Sequence, residues 1–205
     1  MRTLDVLKEL SEQKAAGPTP SFTELDLAKA IEIVGRERIG RFGLSERLGL
    51  GEGATRTLID RLLEARLVKI SKRGCELTDR GLTVMKHLSA KLGPKARVSR
   101  SPITVGPYDF GILVRKAANK VSSGIEQRDA AVRAGANGAV TLVIRNGQLL
   151  MPSADDSKMR QSPGVAERLI ENFQPGENDV IVIAGGVTER VAEDSAWAAA
   201  WTLLK

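Results

Sequence analysis

Arg56, Thr57 and Arg61 fall in a stretch with helical periodicity, and Lys72 and Arg73 sit side by side in the turn that follows it. These are residue types that contact nucleic acid. A guanidinium pairs with guanine edges, a threonine meets a phosphate or a thymine methyl, and a second cation meets the backbone. In that scheme Arg56 reads bases, Thr57 touches a phosphate or methyl, and Arg61 holds the backbone. Lys72 and Arg73, at a hairpin tip, suit a minor-groove or phosphate contact. The competing reading is a solvated helix face with ordinary charge pairs.

A second place for chemistry is Gly185-Gly186-Val187-Thr188-Glu189, which follows an apolar run. A buried strand running into glycines and a capped helix leaves free amides that welcome a phosphate or carboxylate. Gly185, Gly186 and Thr188 are the candidate ligand-binding residues. However, Glu189, Glu193 and Asp194 already complement the helix dipole and oppose a second anion. A plain tight turn is the alternative.

Other motifs carry less. Gly49-x-Gly51-x-Gly53 lacks a preceding strand and a Lys-Ser/Thr behind it, so it reads as a turn between helices rather than a phosphate loop. Gly135-Ala136-Asn137-Gly138 reads as a helix cap. Asp155 and Asp156 could hold a divalent ion, but adjacent acids in a loop are usually solvated. With one Cys (Cys75) and one His (His87), no His/Cys zinc site can form within the chain, and no nucleophile–base pairing suggests itself. No metal, no cofactor and no enzymatic activity are therefore expected. Cys75 and His87 read as packing residues. Trp197 and Trp201, four apart, mark a core or a subunit interface.

Charge separates the chain into halves. The net charge is +6, but residues 1–105 carry 20 Lys+Arg against 13 Asp+Glu, whereas residues 106–205 carry 11 against 12. Residues 36–100 alone hold 16 against 7. A basic module joined to a neutral one suggests a polyanion-binding domain with a partner domain of other function. No apolar run approaches the roughly 20 residues that span a bilayer. The N-terminus lacks the apolar core of a signal peptide. A lone cysteine fits a reducing compartment, so a cytoplasmic location and no membrane partner are expected.

The elements that must position these residues are legible as patterns. Leu4, Leu7 and Leu10 predict a short helix over residues 3–13, and Ser21 with Glu24 predicts a capping box for the next helix. Residues 45–48 and 54–66 predict two helices about the glycine turn, the second burying Leu58, Ile59, Leu62 and Leu63. Residues 67–70 and 75–77 form a hairpin, after which Leu82, Met85, Leu88 and Leu92 mark the buried side of another helix. Residues 93–102 read as a basic linker. Beyond it, strands at 110–114, 139–144, 148–151 and 179–184 alternate with helices at 123–134, 163–173 and 188–204. Asn146-Gly147 signals a type I′ hairpin. Such alternation predicts a small α/β domain.

Helix, turn, helix and hairpin in that order form a helix-turn-helix with a wing. Leu77-Thr78-Asp79-Arg80-Gly81 resembles the L-T-x-x-G pattern that closes the wing in winged-helix transcriptional regulators, and the resemblance covers roughly residues 21–92. The whole arrangement resembles an uncharacterised, mainly archaeal family of winged-helix proteins with a conserved α/β C-terminal domain, carried by residues 41–63 and 124–142.

The expected fold is two-domain, α+β followed by α/β. An arm at 1–20 precedes a winged helix-turn-helix at 21–92, a basic linker at 93–106 and an α/β sandwich domain at 107–205. The expected function is a DNA-binding transcriptional regulator, homodimeric on double-stranded DNA. Its C-terminal domain binds a small-molecule effector, mediates dimerisation, or both, and the dimer interface is supplied by the N-terminal Leu4/Leu7/Leu10 helix or by the Trp197/Trp201 face. The alternative is an enzyme or binder of a small phosphorylated metabolite seated at Gly185–Thr188, with the N-terminal domain appended.

Overall fold

A computed structural model describes residues 3–13, 19–152 and 163–205. The Asp155/Asp156 pair lies outside the described residues. The chain divides between Ser89 and Ala90 into two compact units, each with its own core.

In the N-terminal unit, α1 (Thr3–Ser11) buries Val6, Leu7 and Leu10. It packs on α2 (Glu24–Arg36), so this face is interior to the unit and is not free to join a second subunit. Helix α2 is capped two residues later than Ser21 and Glu24 suggest. The Thr23 side chain accepts the Asp26 amide at 3.4 Å while Asp26 Oδ2 accepts the Thr23 amide at 2.8 Å. Phe22 and Leu27, which flank this box at the positions of a hydrophobic staple, are both buried, and that fixes where the chain enters the helix.

Helix α3 (Arg41–Leu48) ends on Gly49, which adopts the left-handed conformation, and α4 (Glu52–Glu64) follows after Gly51. Strands β1 (Val68–Ser71) and β2 (Gly74–Leu77) pair antiparallel, and Ile39 adds a single bridge to Cys75. Helix α5 (Asp79–Lys91) buries Gly81, Val84 and Leu88. The buried stripe is thus rotated from the Leu82/Met85 face that periodicity suggests, and Leu82 is exposed. Gly81 causes the rotation: a Cβ there would lie 2.0 Å from the Leu67 carbonyl oxygen, so α5 crosses the hairpin with its backbone in contact.

The C-terminal unit holds β3 (Leu92–Val98), β4 (Tyr108–Val114), a 3₁₀ turn at Ala118–Lys120, α6 (Ile125–Arg133), β5 (Gly138–Arg145), β6 (Gln148–Leu150), α7 (Pro163–Phe173), β7 (Val180–Gly186) and α8 (Glu189–Thr202). The sheet order is β3-β4-β7-β5-β6, with every neighbouring pair antiparallel. The molecule is therefore a mixed α+β protein: N-terminal helices followed by a five-stranded sheet. Strands β4 and β5 run parallel to each other and are joined by the α6 crossover, but β7 fills the gap between them, as in a split β-α-β unit. The alternation of strands and helices made the crossover and the strand at 179–184 legible, but not the insertion of that strand between β4 and β5.

Segment 93–102 is not a linker. Most of it is β3, the edge strand on β4, and a register shift between Leu92 and Lys95 accommodates Gly93 and Pro94. An edge position with a bulge is where a residue lacking an N–H is tolerated. Asn146 and Gly147 turn the β5–β6 hairpin with φ of 53° and 70°, both positive as a type I′ turn requires.

Helices α6 and α8 cover one face of the sheet. The other face forms a core with α7, in which Leu113, Leu142 and Ile181 meet Leu169 and Phe173. Strand β7 is buried along its whole length, as a strand covered on both faces must be. Trp197 and Trp201 are buried within this unit, and the Lys95 ammonium stands 4.9 Å from the Trp197 ring centroid. They are core residues and cannot supply an intersubunit face. No helix among the described residues is long and apolar enough to cross a membrane.

Gly81 yields a direct test. Gly81→Ala places a methyl into the Leu67 carbonyl, and overpacking of this kind costs about 1–3 kcal/mol or more. Urea denaturation should show that loss, whereas Gly53→Ala, where nothing lies within 4 Å of the added Cβ, should change stability little.

Candidate nucleic-acid interface

Hydrogen bonds around Thr78 close the hairpin. Its amide donates to Leu67 O at 3.0 Å, its hydroxyl donates to Arg66 O at 2.6 Å, and the Gly81 amide donates to the Thr78 hydroxyl at 3.1 Å. One threonine therefore ties the hairpin base and caps α5. The Cys75 amide donates to Ile39 O at 2.9 Å, anchoring the hairpin to the segment that enters α3. Gly74 permits this approach, because a Cβ there would meet Ile39 backbone atoms at 2.6 Å.

On this frame, Arg56 and Thr57 project from the first turns of α4 and are exposed. Arg56 Nε stands 4.0 Å from Asp60 Oδ2 at the surface, a pair of the kind that contributes little. The Thr57 hydroxyl donates to Gly53 O at 3.1 Å. Lys72 and Arg73 are exposed at the hairpin tip, and the Arg73 amide donates to the Ser71 hydroxyl at 3.2 Å.

Arg61 does not join this surface. It is 8% exposed; its guanidinium donates to Leu10 O at 2.6 Å and to Glu12 O, and it stands 5.6 Å from the Phe22 ring centroid. It satisfies the carbonyls at the end of α1, where a helix has acceptors to spare. With Arg61 turned inward, the exposed charges of α4 are Arg56 against Glu52, Asp60 and Glu64. The exposed cations of the hairpin, Lys69, Lys72 and Arg73, thus carry more of the basic character than α4 does.

Further cations gather at the hairpin. Arg38 Nε lies 3.0 Å from Glu76 Oε1 and Lys69 Nζ lies 3.8 Å from Glu76 Oε2. A hydrogen bond with Ser71, then the charges of Arg38, Lys69 and Arg73, hold the Glu76 carboxyl below the ordinary carboxylate range. Lys69 meets Glu76 through the hairpin register, whereas Arg38 escapes sequence reasoning because its approach depends on the Ile39–Cys75 bridge, a pairing across 36 residues. Phe42, at the start of α3, is 65% exposed beside Arg41 in sequence.

Cys75 is buried, and desolvation raises its thiol pKa, so the protonated thiol dominates at neutral pH. His87 Nδ1 lies 2.8 Å from Thr3 Oγ1, linking α5 to α1. Both are structural contacts.

The Gly185–Gly186 turn is filled by its own chain. A Cβ on Gly185 would meet Gly106 N at 2.5 Å and Asp109 Oδ1 at 2.7 Å, and one on Gly186 would meet Ala192 N at 2.6 Å. The Thr188 hydroxyl accepts the Val191 amide at 3.2 Å as the α8 cap, and Glu189 is paired with Arg97. Gly185, Gly186 and Thr188 thus serve close packing and capping, and the turn has no cradle for a phosphate.

Helices, a turn and a basic hairpin in one unit, and a five-stranded antiparallel sheet covered on both faces in the other, define the class of protein. Residues 26–83 match the family described as PH0730-like, N-terminal domain, and residues 105–203 match the domain of unknown function DUF4443. No curated protein matches the chain. Among solved structures it is similar to hypothetical protein PH0730 from Pyrococcus horikoshii OT3, with 28% identity and a TM-score of 0.71 over 89% of this chain and 93% of that one. These likenesses support an uncharacterised, PH0730-like archaeal family.

Arg61→Ala is expected to destabilise the N-terminal unit by about 2–3 kcal/mol, since two carbonyls lose a charged donor. Chemical denaturation measures it. A residue whose role was only to meet phosphate from the surface would leave the unfolding midpoint unchanged.

Proposed function

We propose that the chain is a winged-helix transcriptional regulator whose N-terminal unit binds double-stranded DNA. The observation that carries this reading is the placement of Arg56 and Thr57 at the exposed start of α4 together with Lys72 and Arg73 at the tip of a hairpin tied to the entry of α3. A helix after a glycine turn lays its first residues against base edges, and a basic hairpin reaches the flanking backbone. The net charge of residues 36–100, 16 Lys+Arg against 7 Asp+Glu, supports a polyanionic partner.

In this reading the protein is cytoplasmic and acts as a homodimer, because paired half-sites match a two-fold protein. The C-terminal unit then senses an effector or holds the dimer together, as a binding domain rather than an enzyme. The alternative, a phosphorylated-metabolite enzyme seated at Gly185–Thr188, is disfavoured by the packing of that turn against Gly106 and Ala192.

Duplex binding should weaken steeply as salt rises, as measured by fluorescence anisotropy. Arg56→Ala should reduce discrimination between sequences, by about 1–3 kcal/mol if it pairs with guanine. Lys72→Ala with Arg73→Ala should weaken binding to all duplexes and flatten the salt slope by roughly 1 per lost phosphate contact. Unchanged duplex affinity in the triple variant would overturn the assignment.

A further inference from the structure

The loop joining β3 to β4, residues 99–107, folds over the end of the sheet where β4 begins and β7 ends. The buried Ile103 side chain anchors it in the core. Internal bonds set its shape: the Thr104 hydroxyl donates to Ser101 O at 2.7 Å and accepts the Ser101 amide at 3.0 Å. The Val105 amide donates to Asp109 Oδ1 at 3.0 Å, and Gly106 also hydrogen-bonds this carboxylate. Gly106 in turn lies against Gly185, and the Asn137 amide donates to Gly185 O at 2.8 Å. The glycines of β7 thus support a loop instead of cradling an anion themselves.

Between this loop and Asn137 lies a cleft of about 430 Å³, lined by Arg100, Ser101, Thr104, Val105, Gly106, Pro107 and Asn137. That is the size range of small-molecule sites. Two of its polar side chains are not consumed by the fold. The Ser101 hydroxyl oxygen is sealed from solvent, so it does not face the cleft. The Arg100 side chain is exposed and makes no salt bridge with a described residue; the acid that feels its charge is Asp109. The Asn137 carboxamide makes no hydrogen bond with the described residues, although its backbone is fixed to Gly185.

Asp109, the acid close to this loop, is buried and does not line the cleft. Desolvation raises its pKa, and its carboxylate is already taken up by the Val105 and Gly106 amides. Val105 and Pro107 supply an apolar portion of the wall. The cleft is also larger than a single inorganic oxyanion needs.

We propose that this cleft binds a small organic anion, its carboxylate or phosphate held by Arg100 and the Asn137 carboxamide, and its carbon skeleton lying along Val105 and Pro107. A guanidinium beside a neutral amide donor offers an oxyanion charge and directed hydrogen bonds together. This rests on, and deepens, the effector half of the function proposed above, giving it a place and a ligand class.

The test is an NMR titration of the isotope-labelled full chain with sodium phosphate, sodium acetate and sodium butyrate, against sodium chloride at matched ionic strength. At least one oxyanion should give saturable shifts centred on the amides of Ser101, Thr104, Val105, Gly106 and Asn137. Arg100→Ala and Asn137→Ala should each weaken that binding by roughly tenfold, the worth of one charge-assisted contact, while the rest of the spectrum is preserved. Phosphate and carboxylate arms separate the two head groups, and tighter binding of butyrate than acetate assigns the apolar wall. The proposal fails if no oxyanion gives saturable shifts beyond chloride, if the shifts centre elsewhere, or if both variants bind as the parent does. No DNA is present, so that failure leaves the duplex-binding reading standing.

Discussion

The hairpin of the N-terminal unit hangs on one carbonyl, that of Leu67. It accepts the Thr78 amide, lies 3.2 Å from the Thr78 hydroxyl, and has the bare backbone of Gly81 passing over it. An interior carbonyl must be satisfied, and the strand base and the helix start each supply part of that demand. Because the crossing is backbone on backbone, the direction of α5 and the position of β1 and β2 are set together. The basic tip at Lys72 and Arg73 inherits its placement from this junction and from the Ile39–Cys75 bridge on the other strand.

Charge in this unit is better understood by location than by sum. The excess of cations over residues 36–100 suggests a uniformly basic helix, yet Arg61 is turned inward to the carbonyls of Leu10 and Glu12. The guanidinium is well suited to that task, as it can serve several acceptors from one planar group without losing its charge. What remains outward on α4 is one cation among three acids, whereas at the hairpin Arg38 and Lys69 gather around Glu76.

The C-terminal unit is organised by β7, buried on both faces and paired to β4 and β5. Its glycine end lets Gly106 and the start of α8 approach the backbone closely. The same feature that resembles an anion-binding turn in sequence is thus a packing joint. Its consequence is displaced by one layer: the joint holds the β3–β4 loop in place, and the loop carries Arg100 on the wall of the cleft.

Local chemistry was legible from the chain alone. The Asn146-Gly147 turn, the Thr188 cap and the L-T-x-x-G signature each depend on residues a few positions apart, and each is found where the pattern puts it. The exposure of Arg56, Thr57, Lys72 and Arg73 was legible for the same reason. Tertiary structure decided what depends on partners far away in sequence. Arg61 meets carbonyls about fifty residues before it, and segment 93–102 becomes a strand only because β4 offers an unpaired edge. The stripe of α5 turns because of Leu67, and β7 enters between β4 and β5 although no local pattern names its neighbours. Capping and periodicity are short-range and leave their mark in spacing; burial of a cation or insertion of a strand is settled only by what the folded chain brings alongside it.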